Sequence, residues 1–177
     1  MPKLPMLLLA GLFPALSGCS SAPINYHTLV PAQPGSPASG QVRVERVAMP
    51  PQVDRSQIVV RQGGSGLSIL ETEWWGANLV DEFRNALEDQ LGAPGPGATL
   101  LRVDVQRFDS VPGQYALLDA RWRLQRPGSE QTLSCHSSLQ TAANSSVDGL
   151  VVAHQANVRK FAELVARANA SGATRCP

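Results

Sequence analysis

From Gln41 onward the apolar and polar positions follow two alternating rhythms. Val42 and Val44 alternate with Arg43 and Glu45, which predicts a half-buried strand that Pro50 and Pro51 break. Ile58-Val59-Val60-Arg61 reads as a second strand. Gly63-Gly64-Ser65-Gly66 supplies a turn, and Leu67-Ser68-Ile69-Leu70 the returning arm of a hairpin. The period then lengthens. Trp75, Leu79, Phe83, Ala86, Leu87 and Leu91 fall at helical spacing, with Asp81, Glu82, Arg84, Asn85, Glu88 and Asp89 on the other side. This predicts an amphipathic helix of about four to five turns. Thr72 is its expected N-cap, with Glu71 and Glu73 at the positive end of the dipole. Gly92 ends it and Pro94 prevents resumption.

Alternation returns at about Ala98–Phe108, where Leu101, Val103 and Val105 oppose Arg102, Asp104 and Gln106. After Pro112-Gly113, Ala116, Leu118, Ala120, Trp122 and Leu124 share one face of the next strand. After Pro127-Gly128, Leu133, Cys135 and Leu139 mark a third, completing an antiparallel meander. A last helix starts near Ser146, carries Val151, His154, Val158, Phe161, Val165 and Ala168 on one stripe, and closes at Gly172. The order predicts an α+β two-layer sandwich: one mostly antiparallel sheet with two main helices on one face.

The stretch before Gln41 reads differently. Tyr26, Thr28 and Val30 alternate with His27 and Leu29, enough for a short strand. Residues 31–40 are Pro-, Gly- and Ser-rich, a flexible link with nothing to pack. Residues 1–18 hold Lys3 and then a greasy run, Leu4 to Leu16, ending at Ser17-Gly18. A basic start, an apolar stretch of about 7–15 residues and small residues at the cut mark a secretory signal. The run is too short to span a bilayer, which takes about 20 apolar residues. Leu16-Ser17-Gly18-Cys19 resembles the bacterial lipobox. That resemblance implies cleavage before Cys19, and diacylglycerol and N-acyl chains (palmitate among them) on the new terminus. More than one chain is needed for stable anchoring, since each buried methylene contributes about 0.8 kcal/mol. Ser20, rather than Asp, follows the cysteine, which by the usual sorting pattern implies the outer membrane. The expected organisation is a signal peptide over 1–18, a lipidated tether over 19–40 and one domain over 41–177.

Charge and cysteines narrow the function. Lys3 is the one charged residue of the leader, so the mature part carries 14 basic and 14 acidic residues. Without a basic patch in the sequence, nucleic acid is not an expected partner. A hydrophobic content of 43% supports a core, and an aromatic content of 5% makes it mostly Leu, Val and Ala. With Cys19 acylated, Cys135 and Cys176 remain. An even pair in an exported chain invites a disulfide, worth about 3–4 kcal/mol in the chain-entropy model. The alternative is two unpaired thiols, one in a strand and one in a loose tail.

The chemical motifs of enzymes are missing. His27, His136 and His154 show no metal-ligand spacing, and no Cys-x-x-Cys occurs. Ser65 lies in a glycine run, but Leu67 stands where a nucleophile elbow needs glycine. Gly95-Pro96-Gly97 lacks a backbone donor at its proline and no Gly-Lys-Ser/Thr follows. His154, on an apolar stripe, reads as a core or interface histidine rather than a ligand. Asp54 and Arg55 read as a turn or solvent pair rather than an acid–base couple. Trp74-Trp75 suits either a lipid-contacting surface or core packing, with one ring inward. No metal or dissociable cofactor is expected.

Several stretches in order carry a resemblance: Tyr26-His27-Thr28-Leu29, Pro51, Asp54-Arg55-Ser56-Gln57-Ile58-Val59-Val60-Arg61, and Trp75-Gly76-Ala77-Asn78-Leu79, followed by the meander and the final helix. Together they resemble the ABC-type transport auxiliary lipoproteins, the PqiC/YmbA-like family. The resemblance implies a non-catalytic lipoprotein on the periplasmic face of the outer membrane. Its implied partner is a mammalian-cell-entry (MCE) domain protein that carries lipid between membranes and maintains the envelope, in some systems with an inner-membrane permease and ATPase. Self-assembly into a ring is a further implication. The candidate partner-binding residues are Asp54, Arg55, Gln57, Arg61, Trp74 and Trp75, although the pattern does not distinguish binding from folding. Competing readings are an outer-membrane assembly or cell-wall-enzyme activator lipoprotein, and a hydrolase using Ser65 or His136.

Overall fold

The computed structural model describes residues 22–33, 41–172 and 174–177. Cys19 and the leader lie outside the described residues. Among the described residues nine elements follow in chain order: β1 (Asn25–His27), β2 (Val42–Ala48), β3 (Gln57–Gln62), β4 (Gly66–Trp75), α1 (Leu79–Leu91), β5 (Thr99–Val111), β6 (Tyr115–Gln125), β7 (Thr132–Ala142) and α2 (Val147–Ala170). The class is α+β with mostly antiparallel pairing.

The strands form two hydrogen-bonded sheets rather than one. The larger has the order β2-β5-β6-β7, with β2 parallel to β5 and the β5-β6-β7 meander antiparallel. The smaller has the order β1-β4-β3, with β1 parallel to β4 and β3 antiparallel to it. The meander separates from the hairpin because β3 meets β5 through side chains. Asp109 of β5 ion-pairs with Arg61 of β3 at 2.8 Å, in place of a backbone ladder.

Both helices cover one face of the larger sheet. Ala116, Leu118, Ala120, Trp122 and Leu124 of β6 are buried under them, as the alternation predicts. Leu79, Phe83, Ala86, Leu87 and Leu91 of α1 and Leu150, Val158, Phe161 and Val165 of α2 supply the other half of the core. The few aromatics are concentrated at its centre. Trp75, Phe108, Phe83, Phe161 and Trp122 form a continuous chain of ring contacts at 6.0–6.4 Å. Such contacts add about 0.5–1.5 kcal/mol per pair beyond area burial.

Three expectations need correction. The first helix begins at Leu79, with Asn78 as N-cap, not at Thr72. Thr72 and Trp75 belong to β4. Two bulky aromatics in succession favour the pleated conformation, and the backbone there has strand partners. Trp75 N–H donates to Ser56 C=O at 2.6 Å, and β1 pairs with Glu73–Trp75. The second correction concerns the tether, since residues 25–33 join the folded body instead of linking to it. Leu29 is fully buried, and Glu82 of α1 accepts hydrogen bonds from Thr28 Oγ1 (2.8 Å) and Leu29 N–H (2.9 Å). The domain therefore starts before Gln41. Third, the expected strand through Val30 is limited to Asn25–His27.

α2 starts where its sequence indicates. Ser146 Oγ accepts from Gly149 N–H at 3.0 Å, and Asn144 Oδ1 in turn accepts from Ser146 N–H and Oγ–H. A side chain at Gly149 would run into Asn144, so glycine is required by this cap.

Candidate docking surface

The Asp54–Arg61 segment lies between the end of β2 and the β3–β4 hairpin. Several of its polar groups bond back onto the body, Asp54 from an exposed position. Val53 and Asp54 N–H both donate to Pro50 C=O, making a compact turn. That turn aims Asp54 Oδ1 at Val80 N–H (3.3 Å), one of the free donors of the first turn of α1. A carboxylate there also suits the helix dipole. Ser56 Oγ donates to Asn78 Oδ1 at 2.9 Å, so the same loop holds the N-cap residue. Arg55 is half-buried, and its Nε has no hydrogen-bond partner among the described residues. Gln57 pairs with Trp74 across the β3–β4 ladder.

Arg61 reaches the other sheet. Asp109, nearly buried, takes Arg61 Nε at 2.8 Å and two hydrogen bonds from Arg107, 2.9 Å from Nε and 2.6 Å from NH2. Two cations on one carboxylate satisfy it in a place where a lone charge would be costly.

The tryptophans divide. Trp75 is buried edge-on against Phe108. Trp74 is half-buried, donates its indole N–H to Glu71 C=O at 2.9 Å and meets Tyr26 edge-on at 6.4 Å. Tyr26 is 66% exposed. Of the six candidate partner-binding residues, Asp54, Arg61 and Trp75 thus hold the fold together, while Trp74 with Tyr26 presents an aromatic corner to solvent. Cys135 and Cys176 are joined by a disulfide, Cα–Cα 5.6 Å.

N-terminal contacts complete this side of the molecule. Glu73 accepts from His27 Nε2 (2.6 Å) and Asn25 Nδ2 (2.8 Å), and these bonds, His27 first, hold its carboxyl below the usual range. Gln155 of α2 donates to Thr28 C=O at 3.0 Å. Gly76 N–H donates to His27 C=O at 2.8 Å, and a Cβ on Gly76 would press to 3.0 Å from Glu82 Oε1. The familiar His27-Thr28-Leu29, Glu82 and Gly76 positions thus form one clasp.

Within the core, His154 is fully buried, stacked on Phe108 at 3.8 Å, with Nε2 2.9 Å from Ser110 Oγ. Burial pushes its pKa down to about 3. A serine–histidine pair is therefore present, but both residues are sealed from solvent and no substrate reaches them. The open face of the larger sheet is the feature that periodicity alone did not single out. It carries Arg46, Arg102, Arg121, Arg123 and His136 around a shallow groove of about 540 Å³. Its signal in the sequence is the arginine at alternate polar positions of β5 and β6.

The family model described as ABC-type transport auxiliary lipoprotein component matches residues 27–166. A search of curated proteins finds no match. Among solved structures, one described as a crystal structure of an uncharacterized protein aligns with a TM-score of 0.67 at 19% identity, covering 82% of this chain and 98% of the other. Protein XCC0632 from Xanthomonas campestris, of the DUF330 family, aligns with a TM-score of 0.63 at 20% identity, covering 84% and 96%. At such identities the structures share the fold, and the family match spans both sheets and both helices from His27 into α2. The chain belongs to the family of ABC-type transport auxiliary lipoprotein components.

Proposed function

We propose that this chain is a lipoprotein anchored through acylated Cys19 to the periplasmic face of the outer membrane, where it serves as a non-catalytic dock for an MCE-domain partner in intermembrane lipid transport. The family match over residues 27–166 carries this reading. The structure adds a physical reason for a dock. The polar residues of the Asp54–Arg61 segment brace helix and sheet, so they build a stiff body with broad surfaces.

The N-terminal clasp shortens the leash. Only five residues lie between Cys19 and Asn25, the start of β1, a distance of six residue steps. At about 3.3–3.6 Å per residue that segment spans roughly 20 Å at most. The body would therefore ride close to the bilayer, at high local concentration for any partner arriving there.

Two measurements test the proposal together. Intact-mass analysis of the chain extracted from native envelopes should show cleavage before Cys19 and acyl chains on it. Affinity purification in mild detergent should recover an MCE-domain protein. An unacylated processed chain would overturn the anchoring, and consistent recovery of a peptidoglycan synthase or an outer-membrane assembly factor instead would overturn the transport role.

A further inference from the structure

The larger sheet has one face under the helices, and its other face is open around Arg46, Arg102, Arg121 and Arg123, while Asp109 and Leu117 farther along β5 and β6 are buried. The strand register aligns charges across the open face. Arg46 of β2, Arg102 of β5, Arg123 of β6 and Ser134 of β7 are successive cross-strand neighbours, and Ala48, Asp104, Arg121 and His136 form the adjacent row. Neighbouring strands lie about 4.8 Å apart, so three arginines occupy about 10 Å of one row. Like charges directly opposite in a sheet are unfavourable. Partial relief comes from Glu45, which grips Arg102 with two hydrogen bonds of 2.6 and 2.8 Å. Asp119 is engaged by His136 at 2.8 Å. Asp104 lies in the second row, in register with Arg121. Arg46, Arg121 and Arg123 have no ion-pair or hydrogen-bond partner among the described residues. The mature chain is neutral overall, so this is charge segregated onto one face rather than a basic protein.

The face is also shaped. The groove of about 540 Å³ runs between the arginine rows, and Cys176 lines it, placed there by its disulfide to Cys135. A row of planar guanidinium forks suits carboxylates, each arginine able to take one bidentately.

What the groove meets follows from where the chain is anchored. Thr28 and Leu29, just after β1, touch α1 through Glu82 and α2 through Gln155. The N-terminal segment thus enters on the helical layer, on the opposite side of the larger sheet from the arginines. A leash of roughly 20 Å holds that layer toward the bilayer. Resting on the docking reading for the anchor, we infer that the arginine-lined open face of the β2-β5-β6-β7 sheet points away from the membrane and receives an acidic, extended segment of the partner protein. The complementarity is one of charge along a line: successive carboxylates of the segment neutralise arginines that the fold leaves unpaired. Such contacts set partner choice and on-rate, and weaken with salt.

The test uses the acylated full chain in native envelope vesicles. A photoreactive residue replaces Ser134, which is exposed and in the arginine row. Irradiation should attach it to another protein, and sequencing of the cross-linked peptide should find a run of Asp and Glu. The double variant Arg46→Gln/Arg123→Gln, changed at exposed positions, should keep the wild-type melting temperature and lose at least tenfold in cross-link yield. Attachment to lipid, to a second copy of this chain, or to a peptide without clustered acids would overturn the inference, as would an undiminished yield in the double variant. If the double variant still co-purifies an MCE-domain protein at wild-type level, the face is wrong and the docking role stands. Loss of that protein from the wild-type preparation would sink the docking role itself.

Discussion

At the residue scale, His154 makes stability depend on pH. Its pKa in the fold is about 3, against an ordinary value of 6.5, because burial penalises the imidazolium. Below pH 6.5 the unfolded chain binds a proton that the folded one does not, so stability falls as pH drops from 6.5 toward 3. At pH 5 this group alone removes about 2 kcal/mol relative to pH 7.5, at 1.36 kcal/mol per pH unit. Urea titrations of wild type and His154→Leu at both pH values should show that loss in the wild type and not in the variant. The variant itself starts about 1 kcal/mol lower, because Ser110 loses its partner. Asp109 gives a second test. Asp109→Ala leaves Arg61 and Arg107 facing each other without a carboxylate and should cost about 3 kcal/mol, the low end for a broken buried pair, since both guanidiniums reach solvent. The identity of these residues was plain in the sequence, but their direction was not. Asp54, Arg61 and Trp75 look like a recognition motif in one dimension. They engage the body instead because Val80 N–H, Asp109 and Phe108 partner them, contacts between positions 26 to 48 residues apart.

At the scale of elements, periodicity reads best where one rhythm governs a long stretch. β5, β6, β7 and α2 lie close to where alternation and spacing put them, and Ser146 caps α2 through its own side chain. The stretch from Leu70 to Asn78 misleads because Trp75, Leu79 and Phe83 are four residues apart, as on a helix. The competing strand wins on tertiary grounds: β1, 48 residues upstream, offers Glu73–Trp75 a ladder. The same contact explains why the tether is shorter than composition suggests. A Pro/Gly/Ser-rich link lies beyond β1, but Thr28 and Leu29, just after the strand, are held by a carboxylate on α1. Glu82→Gln keeps the shape and removes the charge that Thr28 and Leu29 donate to, so it should cost about 1–3 kcal/mol. Hydrogen exchange should then show the amides of residues 25–30 opening well below global unfolding, while those of β6 stay protected.

For the whole molecule, the disulfide is the link between the meander and the tail. Cys176→Ser should lower stability by about 4 kcal/mol at most, the entropy of a loop closed over a separation of 41 residues, and should loosen residues 174–177. Denaturant titration of the oxidised protein against the variant measures it. The α+β class and its two helices on one face were legible from the order of periods. The partition into two sheets was not, because it depends on Asp109 and Arg61 meeting across strands that never hydrogen-bond along their backbones.

The parallel pairing of β1 with β4 has a mechanical side. A pull on the chain before Asn25, directed along the strand, loads the backbone pairs at Asn25, Tyr26 and His27 side by side, in shear, together with the bonds to Glu73 and Glu82. Bonds loaded in parallel must yield together, whereas bonds peeled in sequence yield one at a time. Forced unfolding is governed by the rate of that first rupture. A body gripped from the bilayer side and tugged by a partner would thus transmit tension through its N-terminal strand into α1 before it came apart.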